Sequence, residues 1–179
     1  MNKNFMIYMV GISGSGKTTI AEALEREIRR RSDIKMQFID GDIIRAQFGD
    51  AFGYTYEERM KCNRAVRVVV RYLLQNDISV ILAQVGAYEI VRQNVRKDCS
   101  ALADYIEIYV KCSVEECSRR DVKGYYKKQR AGDLDNLNGT NDKFEIPENA
   151  ELVIDTEKIS VEKAVDSIIH YLESKGYKL

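Results

Sequence analysis

The chain has no tryptophan, one proline (Pro147), one histidine (His170) and no excess of either charge, with 28 Lys and Arg against 28 Asp and Glu. A formal net charge of +0 removes any chain-wide attraction to a nucleic acid polymer or to an acidic membrane, so an anion site has to be local. The four cysteines, Cys62, Cys99, Cys112 and Cys117, form no CxxC pair, which argues against both a zinc site and a disulfide scaffold. Long apolar runs are missing as well. The run ahead of Gly11, Phe5-Met6-Ile7-Tyr8-Met9-Val10, is too short for a signal peptide or a spanning helix, so a reducing, cytoplasmic setting is expected. At 179 residues, 45% hydrophobic and 31% charged, the chain fits one domain covering 1–179.

What the sequence does contain is a regular alternation of patterns. Residues 5–10 form a continuous apolar run ending at glycine, the pattern of a buried parallel strand. From 18 to 30, Ile20, Ala21, Leu24 and Ile28 recur at helical spacing. Further strands are expected at 36–39, 79–83, 105–110 and 151–154, and further helices at 56–75, 90–99 and 161–174. The 56–75 helix should turn Val66, Val69, Val70, Leu73 and Leu74 to the core, and the last helix Ala164, Ile168, Ile169 and Leu172. The fold class is then α/β, a three-layer P-loop arrangement with a mostly parallel five-stranded sheet and helices on both faces. Ligands of such sheets bind beyond the carboxyl ends of the strands, here near Gly11, Asp40 and the 85–88 segment. Between Cys117 and Pro147 the sequence becomes charged, tyrosine-bearing and turn-rich, which reads as a basic lid at about 119–147.

Gly11-Ile12-Ser13-Gly14-Ser15-Gly16-Lys17-Thr18 matches GxxxxGK[ST] at each specified position and lies between a predicted strand and a predicted helix. Such a loop turns backbone N–H groups inward around phosphate and places a helix N-terminus behind them. Gly11, Ser13, Gly14, Ser15, Gly16, Lys17, Thr18 and Thr19 are therefore the expected ATP-binding residues. Lys17 bridges the β- and γ-phosphates, and the Thr18 hydroxyl takes a place on Mg²⁺. Asp40-Gly41-Asp42 follows the second strand, where one carboxylate can orient or deprotonate an attacking hydroxyl and the other can hold substrate or, through water, the metal. Arg119, Arg120, Lys123, Lys127, Lys128 and Arg130 lie close enough in sequence for a closing lid to bring them to a transferring phosphoryl and exclude water. His170 and the cysteines read as packing or surface residues, Cys62 excepted.

From Tyr8 to Thr156 the chain resembles the adenylylsulfate kinase family. The likeness rests on 11–19, on Asp40-Gly41-Asp42 with Arg45, on Gly53-Tyr54 followed by Arg59, and on Arg120 to Lys128 with Arg130-Ala131-Gly132. Phe144 to Asn149 and Asp155-Thr156 complete it. The resemblance implies phosphorylation by ATP of the ribose 3′-hydroxyl of adenylylsulfate, with Asp40 as the catalytic aspartate and Lys17 beside the phosphoryl. Asp42, Arg45, Arg59 and Lys123 would bind substrate, with Tyr54, Asn63, Val85 and Gly86 in the same site. Arg120 and Thr156 would lie toward the ATP base. The resemblance also implies a homodimer.

Departures from the family pattern gather on the acceptor side. Tyr54 and Leu137 stand where two phenylalanines usually clamp the adenine, and Cys62 stands for an asparagine. Gly86-Ala87-Tyr88-Glu89 replaces Ser-Pro-Tyr-Arg, and Asn141 replaces an aspartate. One aromatic platform is lost, and Glu89 is a poor neighbour for sulfate. The resemblance also brings in a related reaction of the same wider family, phosphorylation of cytidine diphosphoramidate, used in modifying capsule sugars. A pyrimidine tolerates Leu137 and a phosphoramidate has N–H donors that suit Glu89, so this compound stands beside adenylylsulfate as acceptor. A nucleotide-dependent regulatory module without kinase activity is the reading from a different class.

Overall fold

The computed structural model describes residues 4–140 and 142–179; Asn141 lies outside the described residues. Five strands, β1 (Phe5–Val10), β2 (Met36–Asp40), β3 (Ser79–Ala83), β4 (Asp104–Lys111) and β5 (Leu152–Asp155), form one sheet in the order β2-β3-β1-β4-β5. All four pairings are parallel. β1 is central and all six of its residues are buried, which is why its sequence is a continuous apolar run with no alternation.

Helix α1 (Lys17–Arg31) and helix α7 (Val161–Ser174) cover one face. Ile20, Leu24 and Ile28 meet Ile168 and Leu172 there against Ile7, Met9 and Ile108. Helices α3 (Tyr56–Gln75) and α4 (Glu89–Cys99) cover the other, with Cys62, Val66, Val70, Leu74 and Val95 packed on Met6, Tyr8 and Leu82. Each such aliphatic side chain, fully buried, contributes about 1.5–3 kcal/mol of apolar transfer. α3 starts at a capping box, Thr55 accepting from the Glu58 N–H while the Glu58 carboxylate accepts from the Thr55 N–H.

The expected strands and long helices are present to within a residue or two. One side chain is turned differently: Val69 is exposed, because Cys62, Val66, Val70 and Leu74 already complete the buried stripe of α3. Three short helices escaped the pattern. α2 (Gly41–Gln47) begins where a turn was expected, and α5 (Val114–Arg120) and α6 (Tyr125–Ala131) occupy the region read as lid. Helices of two turns show too few apolar positions for periodicity to register. They are set by caps: Asp40 on α2, Ser113 on α5, and the Asp121 carboxylate accepting from Tyr126 and Lys127 N–H at the start of α6. A third apolar cluster, Ile12, Cys112, Cys117, Tyr126 and Leu137, fastens this region to the loop after β1. Among the described residues no helix is long and apolar enough to cross a membrane.

Candidate active site

The loop between β1 and α1 is tied at several points. Gly16, in the left-handed region at φ 101, caps α1 without a side chain. Lys17 folds back so that its Nζ donates to Gly11 O at 2.7 Å, Ile12 O at 2.8 Å and Ser15 Oγ at 3.3 Å. Burial disfavours the ammonium and lowers its pKa from 10.5 to about 8, against the opposing pull of Asp42. A half-buried ammonium whose hydrogen bonds go only to neutral acceptors has charge left that an anion such as a polyphosphate can satisfy. Gly11 and Ser15 are buried behind the loop, whereas Ser13, Gly14, Gly16, Lys17, Thr18 and Thr19 line the cleft.

Asp40, at the end of β2, has both carboxylate oxygens engaged. Oδ2 accepts from the Thr18 hydroxyl at 2.7 Å, and Oδ1 accepts from the N–H of Asp42 at 2.8 Å and of Ile43 at 3.3 Å. The cap that starts α2 thus also fixes the carboxylate beside the phosphate loop. Asp42, two residues on, is ion-paired with Lys123, which reaches across from the segment between α5 and α6. Arg45 donates to Gly53 O at 2.5 Å and, like Arg59, stacks its guanidinium near the Tyr54 ring, at 5.0 and 5.5 Å from the centroid. Arg59 also donates to Asn138 Oδ1 at 2.6 Å and to Asn136 O, and lies 3.6 Å from Asp142. Burial holds the Arg59 pKa below its ordinary value. One cleft therefore joins the phosphate loop, two carboxylates, two arginines and an exposed tyrosine ring.

Most of the sequence-predicted acceptor residues meet in that cleft: Asp42, Arg45, Tyr54, Arg59, Asn63, Val85, Gly86, Lys123 and Leu137 line it together with Asp40. Arg120 and Thr156, expected toward the ATP base and not the acceptor, are not among the residues that line it. Arg120 donates to Thr156 Oγ1 at 3.1 Å and Thr156 O at 3.0 Å, and the Thr156 hydroxyl donates to Ser15 O at 3.0 Å, so the pair braces the back of the loop.

Two sequence-based expectations are corrected. Cys62 is 1% exposed and packs in the core beneath α3, because the helical period that presents Arg59 and Asn63 to the cleft turns Cys62 to the sheet. Glu89 does not face the cleft either. At the first turn of α4, its carboxylate accepts from Arg92 at 2.5 and 3.1 Å and from Gln93 at 3.2 Å, and it neutralises a guanidinium that is only 1% exposed. That removes Glu89 both as an obstacle to sulfate and as a partner for phosphoramidate. The basic stretch is also less concentrated than its sequence suggests. Arg119 and Arg120 pair with Glu116 one turn back, Arg130 donates to Ser118, and of the six only Lys123 lines the cleft.

Residues that the sequence reading passed over line the same cleft, among them Gln84, Tyr125, Asn136 and Asn138. The signal for Gln84 was a lone amide directly after an apolar strand, at the sheet end where ligands bind. Nothing local marked Asn138, which is 3% exposed and is brought in by its bond to Arg59, 79 positions away. Tyr126 holds the region over the loop by donating its hydroxyl to Ser13 O at 2.8 Å.

A family model described as adenylylsulphate kinase matches residues 3–155. The adenylyl-sulfate kinase of Halothermothrix orenii is 38% identical over 175 residues, covering 98% of this chain and 92% of its own. That of Oceanobacillus iheyensis is 37% identical over 176 residues, covering 98% and 87%. Among solved structures, the Mycobacterium tuberculosis APS kinase in complex with AMPPNP and APS superposes with a TM-score of 0.89 at 25% identity, covering 97% of this chain and 99% of that one.

Proposed function

The chain belongs to the adenylylsulfate kinase family, phosphotransferases with a hydroxyl acceptor, and we propose that it transfers the γ-phosphoryl of ATP to the ribose 3′-hydroxyl of a nucleotide. The observation that carries this reading is the bond from Thr18 to Asp40, which ties a carboxylate able to accept the hydroxyl proton to the loop that holds the phosphoryl. In this reading ATP lies along Ser13 to Thr19, with Arg120 and Thr156 toward its base. The acceptor lies between Asp40 and Tyr54, its phosphate-linked anion facing Arg45 and Arg59.

Lys17 neutralises charge on the β- and γ-phosphates, and Asp40 takes the proton of the attacking hydroxyl. Lys123, paired with Asp42, brings a cation to the same end of the cleft. The 119–147 segment acts as the lid of a single 1–179 kinase domain; its closure keeps water from competing as acceptor. Mg²⁺ would be held by Thr18 Oγ1, a hard oxygen lining the cleft beside the loop, a donor type that suits such a cation. When bound it lowers the charge repulsion met by the attacking oxygen. The assembly in this proposal is a homodimer, checked by light scattering.

Adenylylsulfate is one acceptor this cleft suits, and cytidine diphosphoramidate the other. Leu137, buried yet lining the cleft with Tyr54, offers the base an aliphatic surface where two aromatic rings would grip a purine harder, by ~1–3 kcal/mol for a stacked base. The decisive assay supplies ATP, Mg²⁺ and each acceptor in turn and follows ADP, comparing kcat/KM. Acceptor-dependent ADP release supports the kinase. ADP release without any acceptor supports the regulatory module, and no ADP with either acceptor from folded protein would falsify the kinase reading for both.

A further inference from the structure

Gln84 is the first residue beyond β3, and two contacts immobilise it. Its Oε1 accepts from the hydroxyl of Tyr8, a fully buried side chain of β1, at 3.4 Å. Its stem lies against the first residue of α2: a Cβ on Gly41 would stand 2.2 Å from Gln84 Cγ, so glycine there is what leaves the side chain its place. With Oε1 taken by Tyr8, the amide NH₂ is the group left to face the cleft that Gln84 lines.

Asn63, on the turn of α3 after Arg59, presents the opposite polarity. Its NH₂ donates to Arg59 O at 2.8 Å, which leaves its Oδ1 as an acceptor in the same cleft. A fixed donor and a fixed acceptor then border the acceptor half, between Asp40 and the Tyr54 ring. Ionic groups in that half, Arg45 and Arg59, are suited to the phosphate-linked end of the ligand; neutral amides are suited to a base.

We infer that Gln84, with Asn63, selects the base of the acceptor by its hydrogen-bonding edge, taking a base whose unprotonated ring nitrogen lies beside an exocyclic amino group and rejecting one with a ring N–H beside a carbonyl. This rests on the proposed kinase reading for where the acceptor lies. Cytosine and adenine share the favoured edge; uracil and hypoxanthine, their deaminated counterparts, present its inverse. The Gln84 NH₂ donates to the ring nitrogen, and Asn63 Oδ1 accepts from the amino group. A deaminated base sets N–H against N–H and carbonyl against carbonyl, leaving buried polar groups unpaired.

The test compares each base with its deaminated form. Turnover is measured with adenylylsulfate against its inosine analogue and with cytidine diphosphoramidate against its uridine analogue. Dissociation constants are measured for AMP against IMP and CMP against UMP. The wild-type protein is expected to favour the amino base by about 10- to 100-fold in at least one pair. Gln84→Leu should cut that preference to about threefold or less with ATP affinity unchanged, and Gln84→Glu, whose second oxygen accepts from a ring N–H, should shift it toward the deaminated base. Equal handling of amino and deaminated bases by the wild type, or a loss in Gln84→Leu that is the same for both, overturns the inference. Discrimination in binding without turnover of any acceptor leaves the inference standing and defeats the kinase reading; turnover without discrimination does the reverse.

Discussion

Asp40→Asn separates chemistry from architecture, because one oxygen of the carboxylate holds a helix and the whole group is placed to accept a proton. Asn retains Oδ1 and ranks with Asp as an N-cap, so the N–H groups of Asp42 and Ile43 stay satisfied. What is lost is a negative charge at the N-terminus of α2, about 0.3–1 kcal/mol, and the carboxylate acceptor for the Thr18 hydroxyl, which must turn to accept from the new NH₂. The net cost is about 1 kcal/mol, a fall in Tm of roughly 2–4 °C for a chain of this size. Removing a general base costs about 10²- to 10⁴-fold in rate, or roughly 3–5 kcal/mol of barrier. The variant should therefore melt almost normally, bind ATP almost normally and turn over at a hundredth of the wild-type rate or less. Asp40→Ala, which deletes the cap too, should lose a further ~1 kcal/mol of stability. Thermal melts, ATP binding and kcat on the same preparations decide it. An Asp40→Asn protein that keeps more than about a tenth of wild-type kcat, a smaller loss than general-base removal allows, refutes the proton-acceptor role.

Proton linkage should be visible at Lys17. Burial holds it near pKa 8 in the free protein, and a bound polyphosphate favours its charged form. Below about pH 8 free and bound protein both carry the proton; above it the free protein loses the proton first, so ATP binding takes one up and weakens by up to about tenfold per pH unit. Calorimetry near pH ~9 in two buffers of different ionisation enthalpy should show close to one proton taken up, and a value of zero contradicts the assignment. Glu89→Arg, which restores the family's cation, should not improve adenylylsulfate binding, since that side chain faces Arg92 and not the cleft. It should instead cost about 3 kcal/mol by leaving the Arg92 guanidinium, still bonded to Gly86 O, with Glu107 at 3.5 Å as its remaining ion pair, a loss read from the thermal midpoint. Gly86→Ala places a Cβ 2.6 Å from Val10 Cγ1 on a backbone at φ +58, and should cost about 1–3 kcal/mol while raising the acceptor KM more than the ATP KM. Equal changes in both constants would mean the 85–88 turn does not border the acceptor.

By itself the sequence determined the layered architecture and the place of the glycine-rich loop at the end of β1. Apolar runs such as 5–10 and the helical stripe Ile20, Ala21, Leu24 and Ile28 are local patterns with a single packing solution, and the glycine-rich loop between them is a contiguous segment recognisable without any distant partner. Asp40 was legible for the same reason, because strand, turn and loop lie at one end of a parallel sheet. The direction of individual side chains was not. Cys62 and Asn63 are adjacent in sequence, yet one is core and the other cleft, and only the rotation of α3 against β1 and β3 decides which. Glu89 looked like a substrate contact until the fold set Arg92 beneath it, where burial of a guanidinium demands a nearby carboxylate. Asn138, Gln84 and Lys123 acquire their places through partners 79, 76 and 81 positions away, Arg59, Tyr8 and Asp42. Hydrogen-bond partners so far apart in the chain leave no local periodicity to read, so the tertiary packing that joins α3, β1 and the 119–147 segment determined the acceptor half of this cleft.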